Sequence, residues 1–128
     1  AIEEDVPKIY MDATKIRKVY YNLIDNAVKF APVKTQIDIG CSYKMDEDSV
    51  QFFIRDRGRG ILQENYEKVF SMFWQEDNTK TRDAGGTGIG LYISKNIVVA
   101  HKGRIWFEPN HNEPGITFYV SLLKDITL

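Results

Sequence analysis

Two segments of the chain carry apolar side chains along one helical face only, and a one-faced helix must be covered. From Thr14 to Phe30, the residues Ile16, Val19, Tyr20, Leu23, Ile24 and Ala27 recur at helical spacing. From Gly88 to His101, the stripe is Ile89, Tyr92, Ile93, Asn96, Ile97 and Ala100. Asp12 is a good N-cap for the first helix, and Pro32 follows its end. Gly103 is placed to cap the second, with His101 and Lys102 as helix-end cations. The cover comes from segments of the other period. Ile37, Ile39, Cys41 and Tyr43 alternate with polar residues, and so do Val50, Phe52 and Ile54 beyond an acidic turn, which predicts a hairpin. Arg104 to Glu108 and Ile116 to Leu123 predict a second hairpin across a turn rich in Pro, Asn and Gly. A short strand is expected over Lys8 to Met11, and a helix over Glu64 to Trp74 with Val69, Phe70 and Phe73 on one side. The expected fold is α+β, a two-layer sandwich with helices packed on one face of a mixed, mainly antiparallel sheet.

Composition bounds the rest. At 128 residues the chain is one domain, 1–128, with 43% hydrophobic and 27% charged residues, which argues against disorder. Seventeen basic against 18 acidic residues leave a net charge of −1, too small a field to hold nucleic acid. One cysteine, Cys41, excludes an internal disulfide and reads as a core thiol on a strand face. With only two histidines besides, a structural zinc site is implausible. No apolar run approaches the roughly 18–20 residues that cross a bilayer, so the domain is expected to be cytoplasmic, monomeric and without membrane contact of its own. The chain opens on Ala1, and the expectation is a piece of a longer protein.

Three constellations could carry chemistry. Asn22, Asn26 and Lys29 fall on one stripe of the first helix, at the margin of its apolar face. They read either as a solvated flank or as carbonyl oxygens for a hard cation with positive charge for phosphate. Asp56, Gly58, Gly60 and Ile61 follow a strand. They read either as a glycine turn whose Asp bonds its own backbone, or as a close approach to a ligand with a carboxylate ready to accept from an exocyclic amine. Gly86, Thr87, Gly88, Ile89, Gly90 and Leu91 open the second helix, where N–H groups and the dipole favour an anion. The spacing is neither the dinucleotide fingerprint nor a P-loop. The polar stretch from Gln75 to Gly86, containing Lys80 and Arg82, has the length and character of a lid.

Taken in order, these motifs resemble the catalytic ATP-binding domain of sensor histidine kinases. The run from Asn22 to Phe30 is similar to that family's N box, Asp56 to Ile61 to its G1 box, Val69 to Phe73 to its F box and Gly86 to Leu91 to its G2 box. The resemblance extends to the gyrase, Hsp90 and MutL superfamily with its Bergerat fold, and it covers nearly the whole chain. It implies ATP and Mg²⁺ as cofactors. Asn26 is expected to hold Mg²⁺, with Asn22 in support, Lys29 on phosphate and Phe30 beside adenine where the family more often has Tyr. Asp56 is expected to accept the adenine amine, helped through water by Thr117, while Lys80 and Arg82 reach the terminal phosphate and Phe70 and Phe73 hold the lid. Asn22, Lys29 and Arg82 are the groups expected to bear on transfer.

Superfamily members that hydrolyse ATP unaided carry a Glu base where Asn22 stands. An amide takes no proton near neutral pH, so transfer is favoured over hydrolysis. No phosphoacceptor histidine motif occurs, because His101 lies behind the second helix and is followed by Lys102. The implied partners are therefore a separate phosphoacceptor and dimerisation domain and a response regulator. The alternatives are a nucleotide-sensing or docking module without transfer, and a serine kinase of the anti-sigma type.

Overall fold

The computed structural model describes residues 12–74 and 89–123. Helix α1 spans Ala13–Phe30. The Asp12 carboxylate accepts the Lys15 N–H at 3.2 Å, as an N-cap should, and Ala31 turns to extended backbone ahead of Pro32. Ile16, Val19, Leu23 and Ala27 are its buried residues, which is the stripe that the spacing predicts. Each of the larger three contributes on the order of 1.5–3 kcal/mol by leaving water.

Four strands follow two by two: β1 Asp38–Lys44, β2 Ser49–Arg55, β3 Arg104–Pro109 and β4 Ile116–Leu123. Both predicted hairpins form, and the sheet order is β1-β2-β4-β3 with every ladder antiparallel. The expected mixed sheet is thus purely antiparallel among the described residues, and the strand expected over Lys8 to Met11 lies outside them. Alternation sorts β4 cleanly. Ile116, Phe118, Val120 and Leu122 join Phe52 and Ile54 in the core under α1. Thr117, Tyr119 and Ser121 take the other face. There Trp106 stacks on Tyr119 at 5.2 Å and Phe53 lies beside it at 6.3 Å, with Arg104 over Trp106 and Arg55 over Phe53. Gly40 has no Cβ because the Phe53 ring occupies that space.

Between β2 and the second helix the prediction fails in part. The expected helix from Glu64 to Trp74 is a 3-10 helix, Gln63–Lys68, continued by turns. Ser71 and Trp74 donate three residues back, to Lys68 and Ser71, and Phe73 sits at φ 64°, which stops any helix. Phe73 is 64% exposed and does not anchor the core, whereas Phe70 packs edge-on against Phe118 at 6.2 Å.

Helix α2 spans Gly90–Ala100 and packs on α1. Its buried residues are Ser94 and Val98, while Asn96 and Ala100 of the predicted stripe are exposed. This helix is apolar on most sides, so periodicity could not fix its phase. It ends in a Schellman motif: Gly103 N–H donates to Val98 O and Lys102 N–H to Val99 O, both at 2.9 Å. The left-handed residue is Lys102, at φ 59°, and not Gly103. Gly103 is small because a Cβ there would overlap the Ser121 carbonyl.

Candidate functional site

Along α1, Asn22, Asn26, Lys29 and Phe30 are all half-buried at the margin of the Leu23–Ala27 stripe. Asn22 Nδ2 donates to the Gly90 carbonyl at 3.2 Å and to Ser94 Oγ at 3.3 Å. It therefore ties α1 to the first turn of α2. The Asn26 side chain, one turn on, has no hydrogen-bond partner among the described residues. Lys29 Nζ pairs with Asp25 one turn back at 2.9 Å. At the helix end, the Phe30 carbonyl lies so close to Gly58 that a Cβ on Gly58 would stand 2.7 Å from it. The second constellation is thereby pressed against the end of the first.

Asp56 closes β2 and is 5% exposed. Its Oδ1 accepts the Gly58 N–H at 2.9 Å, forming the self-bonded turn that the sequence allows. Its backbone is held from β4 and the last turn: Asp56 N–H donates to Ile116 O at 3.0 Å, and Asn110 Nδ2 donates to Asp56 O at 2.7 Å. Burial pushes the Asp56 carboxyl above the ordinary carboxylate range. The N–H groups of Gly58 and Ile116 and the Arg57 charge pull the other way without cancelling it. Arg57 itself turns to Asp38, with Nη2 2.8 Å from Oδ2, and it holds the Asp38 carboxyl below its usual value. Gly60 follows at φ 78°, a left-handed position that suits glycine, and Ile61 packs on the core.

Ile89 is the N-cap residue of α2 and makes no side-chain cap bond, and the positive end of the helix dipole lies at this turn. Gly90 has only ordinary contact with Asn22, its hypothetical Cβ standing 3.7 Å from Asn22 Cγ. Leu91 joins the core. Phe70 also lies beneath Lys95 Nζ, 5.5 Å from the ring centre. Lys80, Arg82, Gly86, Thr87 and Gly88 lie outside the described residues.

Thr117 requires a correction. Strand alternation puts it on the face away from the helices, where its hydroxyl accepts from Arg55 Nε at 3.0 Å and donates to Asn110 Oδ1 at 2.6 Å. The position facing the helices next to Asp56 belongs to Ile116. His101 is also not the expected helix-end cation. It is 7% exposed, accepts the Asp12 N–H at Nε2 and lies 2.8 Å from Ile97 O through Nδ1. The sequence reading missed Ser94, Asn110 and Gly115. Gly115, at φ 104°, lies against the Asp56 carbonyl, where no Cβ fits.

Helix α1 thus meets a glycine of another element at each end of one span, Gly90 of α2 and Gly58 after β2. From Asn22, bonded to Gly90, to Phe30, pressed on Gly58, the rise is about 12 Å. Among the described residues no three His, Cys, Asp or Glu side chains converge. A hard cation at the phosphate end would therefore take an amide oxygen such as that of Asn26 and complete its shell from the ligand, which fits Mg²⁺.

A family model described as histidine kinase-, DNA gyrase B-, and HSP90-like ATPase matches residues 11–126. Sensor histidine kinase WalK of Bacillus subtilis is 38% identical over 98 residues, covering 77% of this chain and 16% of that protein. Histidine protein kinase SaeS of Staphylococcus aureus is 33% identical over 124 residues, covering 96% of this chain and 35% of that one. The catalytic domain of histidine kinase ThkA in a nucleotide-free form superposes with a TM-score of 0.82 at 28% identity, over 98% of this chain and 78% of that chain. ThkA in complex with the response regulator protein TrrA gives 0.77 at 26% identity, over 97% and 33%. The chain spans about a third or less of the length of these two curated relatives. No helix among the described residues is long and apolar enough to cross a membrane.

Proposed function

Since the chain belongs to the histidine kinase-, DNA gyrase B-, and HSP90-like ATPase family, as a catalytic ATP-binding domain of the sensor histidine kinase type, we propose that it binds Mg·ATP along α1 and passes the γ-phosphoryl group to a histidine on a separate phosphoacceptor domain. The reading rests on one observation. A single helix touches both glycine-bearing elements, Gly58 at its end and Gly90 through Asn22.

The base sits at the Asp56 end. One carboxylate oxygen is committed to Gly58 N–H, and the carboxylate accepts the exocyclic amine of adenine beside Phe30, Gly60 and Ile61. The phosphates sit at the Gly90 end. The positive end of the α2 dipole favours them there, and Lys29 swings from Asp25 to add charge. Gly86, Thr87, Gly88, Lys80 and Arg82, which lie outside the described residues, are assigned to the phosphates by the family resemblance, and Phe70 packs on Phe118. Asn26 would hold Mg²⁺, which would supply charge neutralisation at the phosphates. In the transfer, an imidazole nitrogen of the acceptor forms the new N–P bond as the bond to the β-phosphate oxygen breaks, leaving ADP. Asn22 takes no proton, so the domain does not activate water and hydrolysis stays slow. Positioning and charge neutralisation carry the step. The phosphoacceptor domain and a response regulator are the partners, on the cytoplasmic side where ATP is available.

Titration with ATP, with and without Mg²⁺, tests the reading. Asn26→Ala loses the Mg²⁺-dependent part of binding, and Asp56→Asn loses adenine over guanine discrimination. Unchanged affinity and selectivity in both variants overturns the proposal. Adding an isolated phosphoacceptor hairpin then separates kinase from docking module, since binding without transfer indicates the latter.

A further inference from the structure

We infer that Ser94 is a positioning residue: with the Gly90 carbonyl it takes both amide protons of Asn22, and so leaves that amide only its oxygen to offer a ligand. Ser94 is 0% exposed, on the face of α2 that packs against α1. Its Oγ stands 3.3 Å from Asn22 Nδ2, and the Gly90 carbonyl stands 3.2 Å from the same nitrogen. A primary amide has two protons on nitrogen and none on oxygen. The Gly90 carbonyl is an acceptor and nothing else, so a flipped Asn22 would set oxygen against oxygen. With both protons spent on α2, Asn22 Oδ1 has no partner among the described residues. A hydroxyl at position 94 is the second of the two acceptors, and without it one amide proton loses its protein partner and the side chain is free to turn.

The consequence for chemistry rests on the proposed nucleotide site. An amide that presents oxygen suits a divalent cation and its water, whereas one that presents NH₂ suits bare phosphate oxygens. Ser94 thereby sets the dependence on Mg²⁺ without touching nucleotide or metal. A helical register of small residues accounts for neither distance, because alanine would fill the same space.

A double-mutant cycle tests this. Ser94→Ala is expected to weaken ATP binding about five-fold in Mg²⁺, the worth of one hydrogen bond, and to leave binding in EDTA unchanged. In an Asn22→Ala background the same change should have no further effect, because Ser94 acts only through Asn22. An equal loss in both backgrounds, or an equal loss with and without Mg²⁺, overturns the inference. A second readout needs no nucleotide. In the Ser94→Ala protein the Asn22 side-chain NH₂ signals should lose their protection from hydrogen exchange, and full retention of protection also overturns it. If the parent protein binds no ATP, the proposed function fails, while the exchange experiment still judges Ser94.

Discussion

The backbone N–H of Asp12 donates to Nε2 of His101 at 3.1 Å, fastening the start of α1 to the end of α2 across 89 positions of sequence. The other ring nitrogen, Nδ1, lies 2.8 Å from the Ile97 carbonyl and must donate to it. Accepting at Nε2 and donating at Nδ1 is the hydrogen-bond pattern of the Nδ1–H tautomer. Together with the Asn22 bonds to Gly90 and Ser94, this contact pins the two helices at both ends of their interface.

His101→Ala leaves the Asp12 N–H and the Ile97 carbonyl without this partner, at a cost of about 1–3 kcal/mol. His101→Gln can restore an acceptor near Nε2 and should recover part of the loss. Urea denaturation of the three proteins measures both effects, and an alanine variant within about 0.5 kcal/mol of the parent contradicts the account.

Asp56 predicts opposed effects on stability and on binding. Burial raises its carboxyl pKa in the folded state above the unfolded value of about 3.9. Between those two values the folded protein holds a proton that the unfolded chain has released. The Asp56 contribution therefore favours folding more as pH falls through this window, and its charge penalty is complete above it. In the proposed binding mode adenine needs the ionised acceptor, so ATP binding is expected to weaken over the same fall in pH. Asp56→Asn should stabilise the nucleotide-free protein at neutral pH while weakening ATP by about tenfold or more, since a charged hydrogen bond is lost. Calorimetry from pH 4 to 8 on both proteins decides the matter. Parallel pH profiles for parent and variant count against it.

The two glycines touching α1 should respond differently to one added methyl group. At Gly58 the new Cβ would stand 2.7 Å from the Phe30 carbonyl, a backbone atom that cannot yield, so Gly58→Ala costs about 1–3 kcal/mol. At Gly90 the nearest atom is 3.7 Å away, so Gly90→Ala is tolerated and gains up to about 1 kcal/mol in the helix. The Gly90 methyl instead meets whatever lies over the helix start, so ATP affinity should drop although the protein melts higher. An unaffected Kd in Gly90→Ala removes the phosphates from that position.

Asp25 and Lys29 form a surface i,i+4 pair at 2.9 Å, with the Asp25 side chain 63% exposed. Such pairs are worth about 0.3–0.5 kcal/mol, so Asp25→Asn barely changes stability. It does free the ammonium for phosphate, and ATP should bind slightly tighter at low salt and indistinguishably at high salt. Lys29→Met should weaken binding in both conditions, and isothermal titration at two ionic strengths shows the pattern.

Most of the architecture is legible because local chemistry and burial agree. The Asp12 cap, the Leu23 and Ala27 stripe, and the alternation through Phe52 and Ile54 each have one physical solution. The errors arise where that agreement lapses. In α2 the apolar residues surround the helix, so the buried Ser94 could not be picked out. Between Val69 and Trp74 the aromatic spacing fits both a helix and a chain of turns, and the positive φ of Phe73 leaves no mark in the sequence. The family resemblance implies Thr117 beside Asp56, whereas the pleat sends its side chain to the opposite face. His101 and Asn110 act through partners 89 and 54 residues away, a kind of relation that spacing along one chain does not reveal.

The strand that joins the two halves of the sheet, β4, is the last of the four in the chain. It supplies Ile116, Phe118, Val120 and Leu122 to the core, and its first residue holds the Asp56 backbone. During translation, α1 and the first hairpin emerge from the ribosome long before their cover exists. Until β4 is made, the core under α1 has only the Phe52 and Ile54 side of its sheet cover, so the fold closes late in synthesis.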